Sequence, residues 1–422
     1  MMGNEELKVK GIVEECAIKA KAAARQLAVT SEAAKNQGLI EIAQALELKS
    51  QEIIEANRED MEQAKSQGIS GALLDRLLLT PERIKAMAQG VREVAALPDP
   101  IGEVSDLKIR PSGIRVGKMR VPLGVIAMVY EARPNVTVDA AALCLKAGNA
   151  VLLRGGSEAY QSNRKLAELI SQALRVAGLP HEAVQLIPTT DRRSITALGA
   201  LDQYIDVLIA RGGEGLMQAL AGATVPLFRH GKGICHTYID VDADLTKAVD
   251  IVFNAKVSRP GVCNALETLL VHREVAARVV PAICQRLQEA GVELVGTPEV
   301  QALAPNVGVA STEDWGTEYL GLKLAIKVVS NLDEAIEHIH RYGSLHSEAI
   351  ITENYSSARR FLETVDAAAV FVNASTRFND GSEFGLGAEI GISTQKLHAR
   401  GPMGIRELTT TKFIVLGSGE VR

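Results

Sequence analysis

The sequence predicts an α/β protein of two domains, each built on a mainly parallel sheet, with a helical N-terminal lead-in and a small β arm. Three observations carry this. From residue 121 onward, short continuous apolar runs alternate with helical patterns, as expected of parallel strands buried on both faces and covered by helices. The series starts afresh near His236, so two sheets are expected. A chain of 422 residues is also longer than one core ordinarily sustains.

Residues 5–97 carry Ala, Leu, Ile, Glu, Lys and Gln at helical spacing, with breaks near Gly38, Gly68 and Thr80. Thr80, Pro81 and Glu82 form a helix start, hydroxyl cap first and proline in the first turn. Helicity stops between residues 101 and 121, and 109–120 read as a hairpin turning at Pro111, Ser112 and Gly113. Such an arm exposes its edges and suits oligomerisation, with an ordinary surface hairpin as the alternative. The first series places strands at 124–129, 150–153, 184–187, 207–210 and 225–228, separated by helical patterns at 138–146, 161–177, 193–201 and 215–221. The second places strands at 266–271, 324–328, 349–352 and 368–372, with helices at 274–288, 333–341 and 356–364. Asn331 and Glu334 give the helix at 333–341 a start resembling a capping box. A cleft between the two domains is the simplest arrangement, and ligands are expected outside the carboxyl ends of the strands.

Composition excludes several classes of function. There are 46 Lys+Arg against 51 Asp+Glu, a net charge of -5, and the charges are interspersed, which offers no footprint for nucleic acid or an anionic membrane. Aromatic content of 4 % leaves no platform for stacking bases. No run approaches the roughly 18 apolar residues of a membrane span, and the N-terminus lacks an apolar leader core. A soluble, unprocessed, cytoplasmic protein is expected. Five cysteines with no Cys-x-x-Cys pair form neither a disulfide framework nor a zinc pattern. His338 and His340 are two apart on a helix and cannot share a face, so no metal site is expected.

One cysteine stands at a break between regular elements. In Ser258-Arg-Pro-Gly-Val-Cys-Asn-Ala-Leu-Glu267 a Pro-Gly pair ends the helical pattern of 250–257, and a strand follows. Turn amides can face the Cys263 thiol, which makes it a candidate nucleophile; the competing reading is a buried small hydrophobe. The strand at 124–129 leads into Tyr130-Glu-Ala-Arg-Pro-Asn135 with no Gly-x-Gly-x-x-Gly, so a standard dinucleotide loop is not supported, and Asn135 by default reads as a helix cap. Arg154-Gly-Gly-Ser-Glu158 and Arg211-Gly-Gly-Glu-Gly215 suit a phosphate, ribose or other anion, although glycine-rich turns also arise for steric reasons. Gly385, Gly387 and Gly391 read as loop glycines.

Further segments complete a set: Val121-Pro-Leu-Gly-Val-Ile before Tyr130–Asn135; Leu145-Lys-Ala-Gly-Asn-Ala-Val-Leu-Leu-Arg154; Thr317-Glu-Tyr-Leu-Gly321; Phe371-Val-Asn-Ala-Ser-Thr-Arg-Phe-Asn-Asp380; and Glu383-Phe-Gly-Leu-Gly387. With Ser258–Cys263 these resemble the aldehyde dehydrogenase superfamily over residues 121–413, and most nearly its phosphate-releasing branch in proline biosynthesis. The resemblance implies that fold, with residues 1–105 and 121–235 as cofactor-binding domain, 236–392 as catalytic domain, and 106–120 and 405–422 as oligomerisation arm and tail. It implies Cys263 as nucleophile and Asn135, together with the Cys263 N–H, as oxyanion donors. Arg154, Ser157, Glu158, Gly212, Gly213, Gly215 and Glu318 are then cofactor residues, Glu318 holding the nicotinamide ribose. Arg133 and Arg259 are expected at the leaving phosphate, and Asn373, Ser375 and Arg377 at the amino acid end of the substrate.

Two departures from the wider superfamily sharpen this. Its hydrolytic members carry a general-base glutamate in Glu-Leu-Gly-Gly-Lys, where this chain has Arg229-His-Gly-Lys-Gly233. Without that carboxylate a thioester has no obvious means of activating water, which fits phosphate chemistry. Arg154 stands where many members have lysine and favours NADP(H), while Glu158 argues the other way if it points into the site. The implied reaction is NADPH-dependent reduction of L-glutamyl 5-phosphate to L-glutamate 5-semialdehyde through a Cys263 thioester. A glutamate 5-kinase would act upstream, and the protein would be a homo-oligomer, dimer or tetramer. Three alternatives stand beside it: a coenzyme A-acylating reductase of the same superfamily, a redox-free cysteine acyl hydrolase or transferase, and a non-catalytic scaffold. Cys16, Cys144 and Cys284 fit core positions, and Cys235 is the rival nucleophile.

Overall fold

A computed structural model describes residues 4–229 and 231–422. Strands β1 (Val104–Ile109) and β2 (Arg115–Pro122) form the predicted hairpin, which begins at Val104 instead of residue 109. Strands β3 (Val125–Tyr130), β4 (Ala150–Arg154), β5 (Val184–Leu186), β6 (Val207–Arg211) and β7 (Leu227–Arg229) follow. They make one sheet in the order β5-β4-β3-β6-β7, every neighbouring pair parallel. Strands β8 (Cys235–Ile239), β9 (Leu266–His272), β10 (Glu293–Gly296), β11 (Gly308–Val309), β12 (Lys323–Val329), β13 (Ser347–Ile351) and β14 (Ala369–Val372) make a second parallel sheet. Its order is β11-β10-β12-β9-β8-β13-β14. β15 (Ile392–Ser393) and β16 (Gly401–Pro402) form an antiparallel ribbon, and β17 (Thr409–Leu416) brings the tail antiparallel to β2 as the third strand of the arm.

The chain divides into two compact units, Met1–His230 with Gly385–Gly391 and Met403–Arg422, and Gly231–Phe384 with Ile392–Pro402. The expected boundary at 235/236 falls inside β8. Strands β10 and β11 were not anticipated. They are too short for a periodicity of their own, and their ladder partners, β12 for β10 and β10 for β11, define them.

The apolar runs read as strands are buried along their whole length in β3, β4, β9 and β13, as a sheet covered on both faces requires. The lead-in belongs to the first unit through buried cations. Lys146 Nζ, on the helix Asn135–Lys146, bonds Asn36 Oδ1 at 2.7 Å and the Ala95 carbonyl at 2.9 Å, and Lys35 Nζ pairs with Asp99 at 2.5 Å. Thr80 caps the helix Pro81–Ala96 by accepting from the Arg83 N–H, and Asn331 caps Leu332–Tyr342 by accepting from Glu334. The arm leaves Val104, Leu107, Ile109, Phe413, Val415 and Leu416 exposed.

Candidate active site

In the second unit the helix Leu245–Val257 ends at Ser258, and Cys263 lies in the turn that follows, closed by the Ala265 N–H to the Val262 carbonyl at 3.1 Å. β9 starts three residues later, so the thiol stands at the amino end of its strand. Glu318 likewise precedes β12, and Cys235 and Ser347 open β8 and β13. The expected location at carboxyl ends is therefore reversed in this unit. Cys263 is half-buried, whereas Cys144, Cys235 and Cys284 are buried. Burial raises the thiol pKa of all three, Cys284 to about 12, and also raises that of half-buried Cys16. Cys235 is buried and already bonded. Its thiol donates to the Cys263 carbonyl at 3.1 Å and so steadies the turn.

The segment after β14 is bonded to this turn. Thr376 Oγ1 donates to the Asn264 carbonyl at 2.7 Å, Asn264 Nδ2 to the Asn379 carbonyl at 3.0 Å, and Arg377 bonds both Asn264 Oδ1 and, at 3.2 Å, Ser258 Oγ. The Arg377 guanidinium thus bridges the two flanks of Cys263. Burial and neighbouring Arg259 pull its pKa down, opposed by Asp380 and the thiols of Cys263 and Cys235. Asn373 and Ser375 are engaged in the framework. The Asn373 carboxamide accepts from the Thr352 N–H and donates to its carbonyl, and buried Ser375 caps the 3₁₀ turn Thr376–Phe378.

Gly233 lies against the Cys263 peptide: a Cβ there would fall 1.8 Å from the Cys263 carbonyl oxygen. The Gly233 N–H donates to Glu318 Oε1 at 2.9 Å, so Glu318, Gly233 and Cys263 share one site. His230 lies outside the described residues, and Arg229 ends β7 exposed. Beneath the turn, fully buried Lys256 and Glu267 pair at 2.6 Å, and Glu267 Oε1 accepts from the Leu320 N–H at 3.4 Å. Burial raises the Glu267 carboxyl to about 7 against the pull of Lys256, and lowers Lys256 in turn. Both Glu267 oxygens are engaged, one by Lys256 and one by the Leu320 N–H. Lys256→Met strands a buried carboxylate and is expected to cost roughly 3–5 kcal/mol of stability, with Lys256→Met/Glu267→Leu recovering much of it. Denaturant melts test this, and a single variant as stable as the parent refutes it.

In the first unit the predicted loops do lie at carboxyl ends, since Val129 pairs with Arg154 and Tyr130 with Arg211. Asn135 is not a cap: the N-cap is Pro134, and the Asn135 Nδ2 donates to Asp139 Oδ2 at 3.0 Å. Arg133 lies in the same loop, half-buried. Arg154 is buried and donates to the Gly155 carbonyl at 2.9 Å and the Thr190 carbonyl at 2.8 Å, which leaves its Nε without a bond. Exposed Ser157 donates its hydroxyl to half-buried Glu158 at 3.3 Å. The Gly213 N–H donates to Glu131 Oε1 at 3.0 Å, and a Cβ at Gly212 would meet Glu131 and Leu216, both at 2.9 Å; Gly215 has open space.

These residues fit a nicotinamide coenzyme. The unbonded Arg154 Nε, the close-packed Gly155-Gly156 turn and the hydroxyl and carboxylate of Ser157 and Glu158 supply donors and acceptors for a ribose or its phosphate. Sequence reasoning missed Gly233, Asn264, Asp139 and the Lys256–Glu267 pair. Only Asp139 left a signal, four residues after Asn135 on one helix.

The aldehyde dehydrogenase family profile matches residues 7–304. The gamma-glutamyl phosphate reductase of Moorella thermoacetica is 58% identical over 405 residues, 96% of this chain and 97% of that one. The enzyme of the same name from Halothermothrix orenii is 55% identical over 417 residues, 99% of this chain and 100% of that one. The crystal structure of gamma-glutamyl phosphate reductase from Thermotoga maritima superposes with a TM-score of 0.94 at 48% identity, covering 97% of this chain and 99% of that one.

Proposed function

The chain belongs to the aldehyde dehydrogenase family, and we propose that it reduces L-glutamyl 5-phosphate to L-glutamate 5-semialdehyde with release of phosphate. The observation that carries this is the Cys263 turn, with an accessible thiol, cationic Arg377 bonded on both sides of it and no free carboxylate base in Glu267. The coenzyme A-acylating and redox-free alternatives are not favoured, because the reductases of the same name match this chain at 58% and 55% over nearly its whole length.

Cys263 attacks the acyl carbon, the carbon–oxygen bond to phosphate breaks, and a thioester remains. Thiols ionise only to a few per cent at neutral pH, and the guanidinium of Arg377, with Arg259 beside it, favours the thiolate. Arg133 and Arg259 are assigned to the departing phosphate. The oxyanion of each tetrahedral species is assigned to the Asn135 amide and the Cys263 N–H. NADPH, when bound, supplies the hydride that takes the thioester to a thiohemiacetal. Collapse of that oxyanion then frees the aldehyde and returns the thiolate. Arg154, Ser157 and Glu158 are assigned to the coenzyme's adenosine ribose, Glu318 to the ribose at the nicotinamide end, and Gly212, Gly213 and Gly215 to the turn beside it. Asn373 and Ser375 are assigned to shaping the loop that presents Arg377 to the amino acid end.

The acyl phosphate must come from a kinase acting on the side-chain carboxylate of glutamate. Self-association is assigned to the three-stranded arm, supported by its exposed apolar side chains. Among the described residues no helix is long and apolar enough to cross a membrane, in keeping with a cytoplasmic location.

The test runs the reaction in reverse. Semialdehyde should reduce NADP only when inorganic phosphate is present, with coenzyme A unable to replace it and NAD a poorer substrate. Reduction that is independent of phosphate would overturn the reading.

A further inference from the structure

We infer that Asp139 is a positioning residue that dictates which end of the Asn135 carboxamide faces the reacting oxygen. The inference rests on the assignment of Asn135 as an oxyanion donor.

An asparagine side chain presents two nearly isosteric ends, an NH₂ that donates and a carbonyl that accepts. Only the first stabilises a developing oxyanion. A carbonyl turned to the same place would repel it. A half turn about the last side-chain bond therefore converts a stabilising group into an opposing one.

Asn135 occupies the first turn of the helix Asn135–Lys146, and Asp139 lies one turn further along the same face. The Asn135 Nδ2 donates to Asp139 Oδ2 at 3.0 Å. An ionised carboxylate has no proton to give, so only the NH₂ end can face it. The bond occupies one of the two Nδ2 protons, and the other remains to be donated elsewhere. Among the described residues no other side chain bonds this carboxamide. Asp139 is half-buried, and its carboxyl is pushed up to about 6 by burial, against the Asn135 bond and the nearby Arg211 guanidinium. Arg211, tethered to the Ile390 carbonyl at 3.2 Å, thus favours the ionised, acceptor-only form that the orientation needs.

Asp139→Asn provides the discriminating change, because it preserves shape while adding a donor. The new NH₂ can bond the Asn135 carbonyl and reverse the amide, so this variant should be worse than Asp139→Ala, which only releases it. A purely structural role predicts the opposite order.

The experiment measures phosphate-dependent reduction of NADP by L-glutamate 5-semialdehyde with the full chain, alongside thermal melts. Asn135→Ala should lower kcat about 10²–10³-fold, as for loss of an oxyanion donor. Asp139→Asn should lower kcat roughly 10–100-fold with KM values almost unchanged, as expected for a misoriented reacting group. Asp139→Glu, still acceptor-only, should keep most turnover and serves if Asp139→Asn folds poorly. Adding Asp139→Asn to Asn135→Ala should change kcat little further, since the two act as one unit. If Asn135→Ala turns over normally, the oxyanion assignment itself fails. If it is impaired while Asp139→Asn is active, or while the two losses multiply, only the role of Asp139 is overturned.

Discussion

Cys263→Ala should reduce phosphate-dependent NADP reduction to background and remove the acyl-enzyme that mass spectrometry would detect as a glutamyl adduct on the parent protein. Elimination as well as position singles out this thiol. Each of the other four thiols is pushed up by burial, and three are enclosed. None is poised to ionise near neutral pH. Alkylation should therefore inactivate the protein in step with labelling of Cys263. Cys235→Ala is the control. It removes a 3.1 Å bond to the Cys263 carbonyl but no reacting atom, so turnover should fall only modestly. Full activity in Cys263→Ala, or a labelled Cys235 in the inactivated protein, would end the assignment.

Gly233→Ala should also be strongly damaging, without touching any side chain that reacts. The added carbon would lie 1.8 Å from the Cys263 carbonyl oxygen, 2.5 Å from its carbonyl carbon and 2.6 Å from its Cα. All three are backbone atoms, so no rotamer change relieves the overlap. Either the turn carrying the nucleophile moves or the start of β8 does, and in both cases the 2.9 Å bond from the Gly233 N–H to Glu318 is disturbed. A displacement of about 1 Å at a reacting group typically costs ~10²-fold in rate, and a loss of that size in kcat is expected. Gly231→Ala supplies the comparison, since its nearest neighbour, Thr394 Oγ1, stands 3.4 Å away and the change should be tolerated. Equal activity in the two variants would mean that this close approach does not govern the turn.

Much of this was legible in the sequence. Strands buried on both faces are mainly apolar, so β3, β4 and β6 and the helices between them announce a parallel architecture locally. The Pro-Gly break before Cys263, and the absence of a glutamate at Arg229, are equally local facts. Asn135 shows where local reasoning stops. Its place ahead of a helix suggested a cap, but the helix begins on it, and its amide turns to Asp139.

Tertiary structure decided which atoms meet. Lys256 and Glu267 pair across the Cys263 turn because the end of a helix and the start of β9 converge there. Gly233 touches Cys263 because β8 and β9 are sheet neighbours whose first residues, Cys235 and Leu266, lie side by side. Arg377 reaches Asn264, 113 residues away in sequence, because the chain leaving β14 folds back over that end of the sheet. Propensity and periodicity act over a few residues and therefore determine elements and turns. Sheet order is a property of the whole chain, and it alone determines that a glycine, a carboxylate and a guanidinium from separate segments meet around one turn.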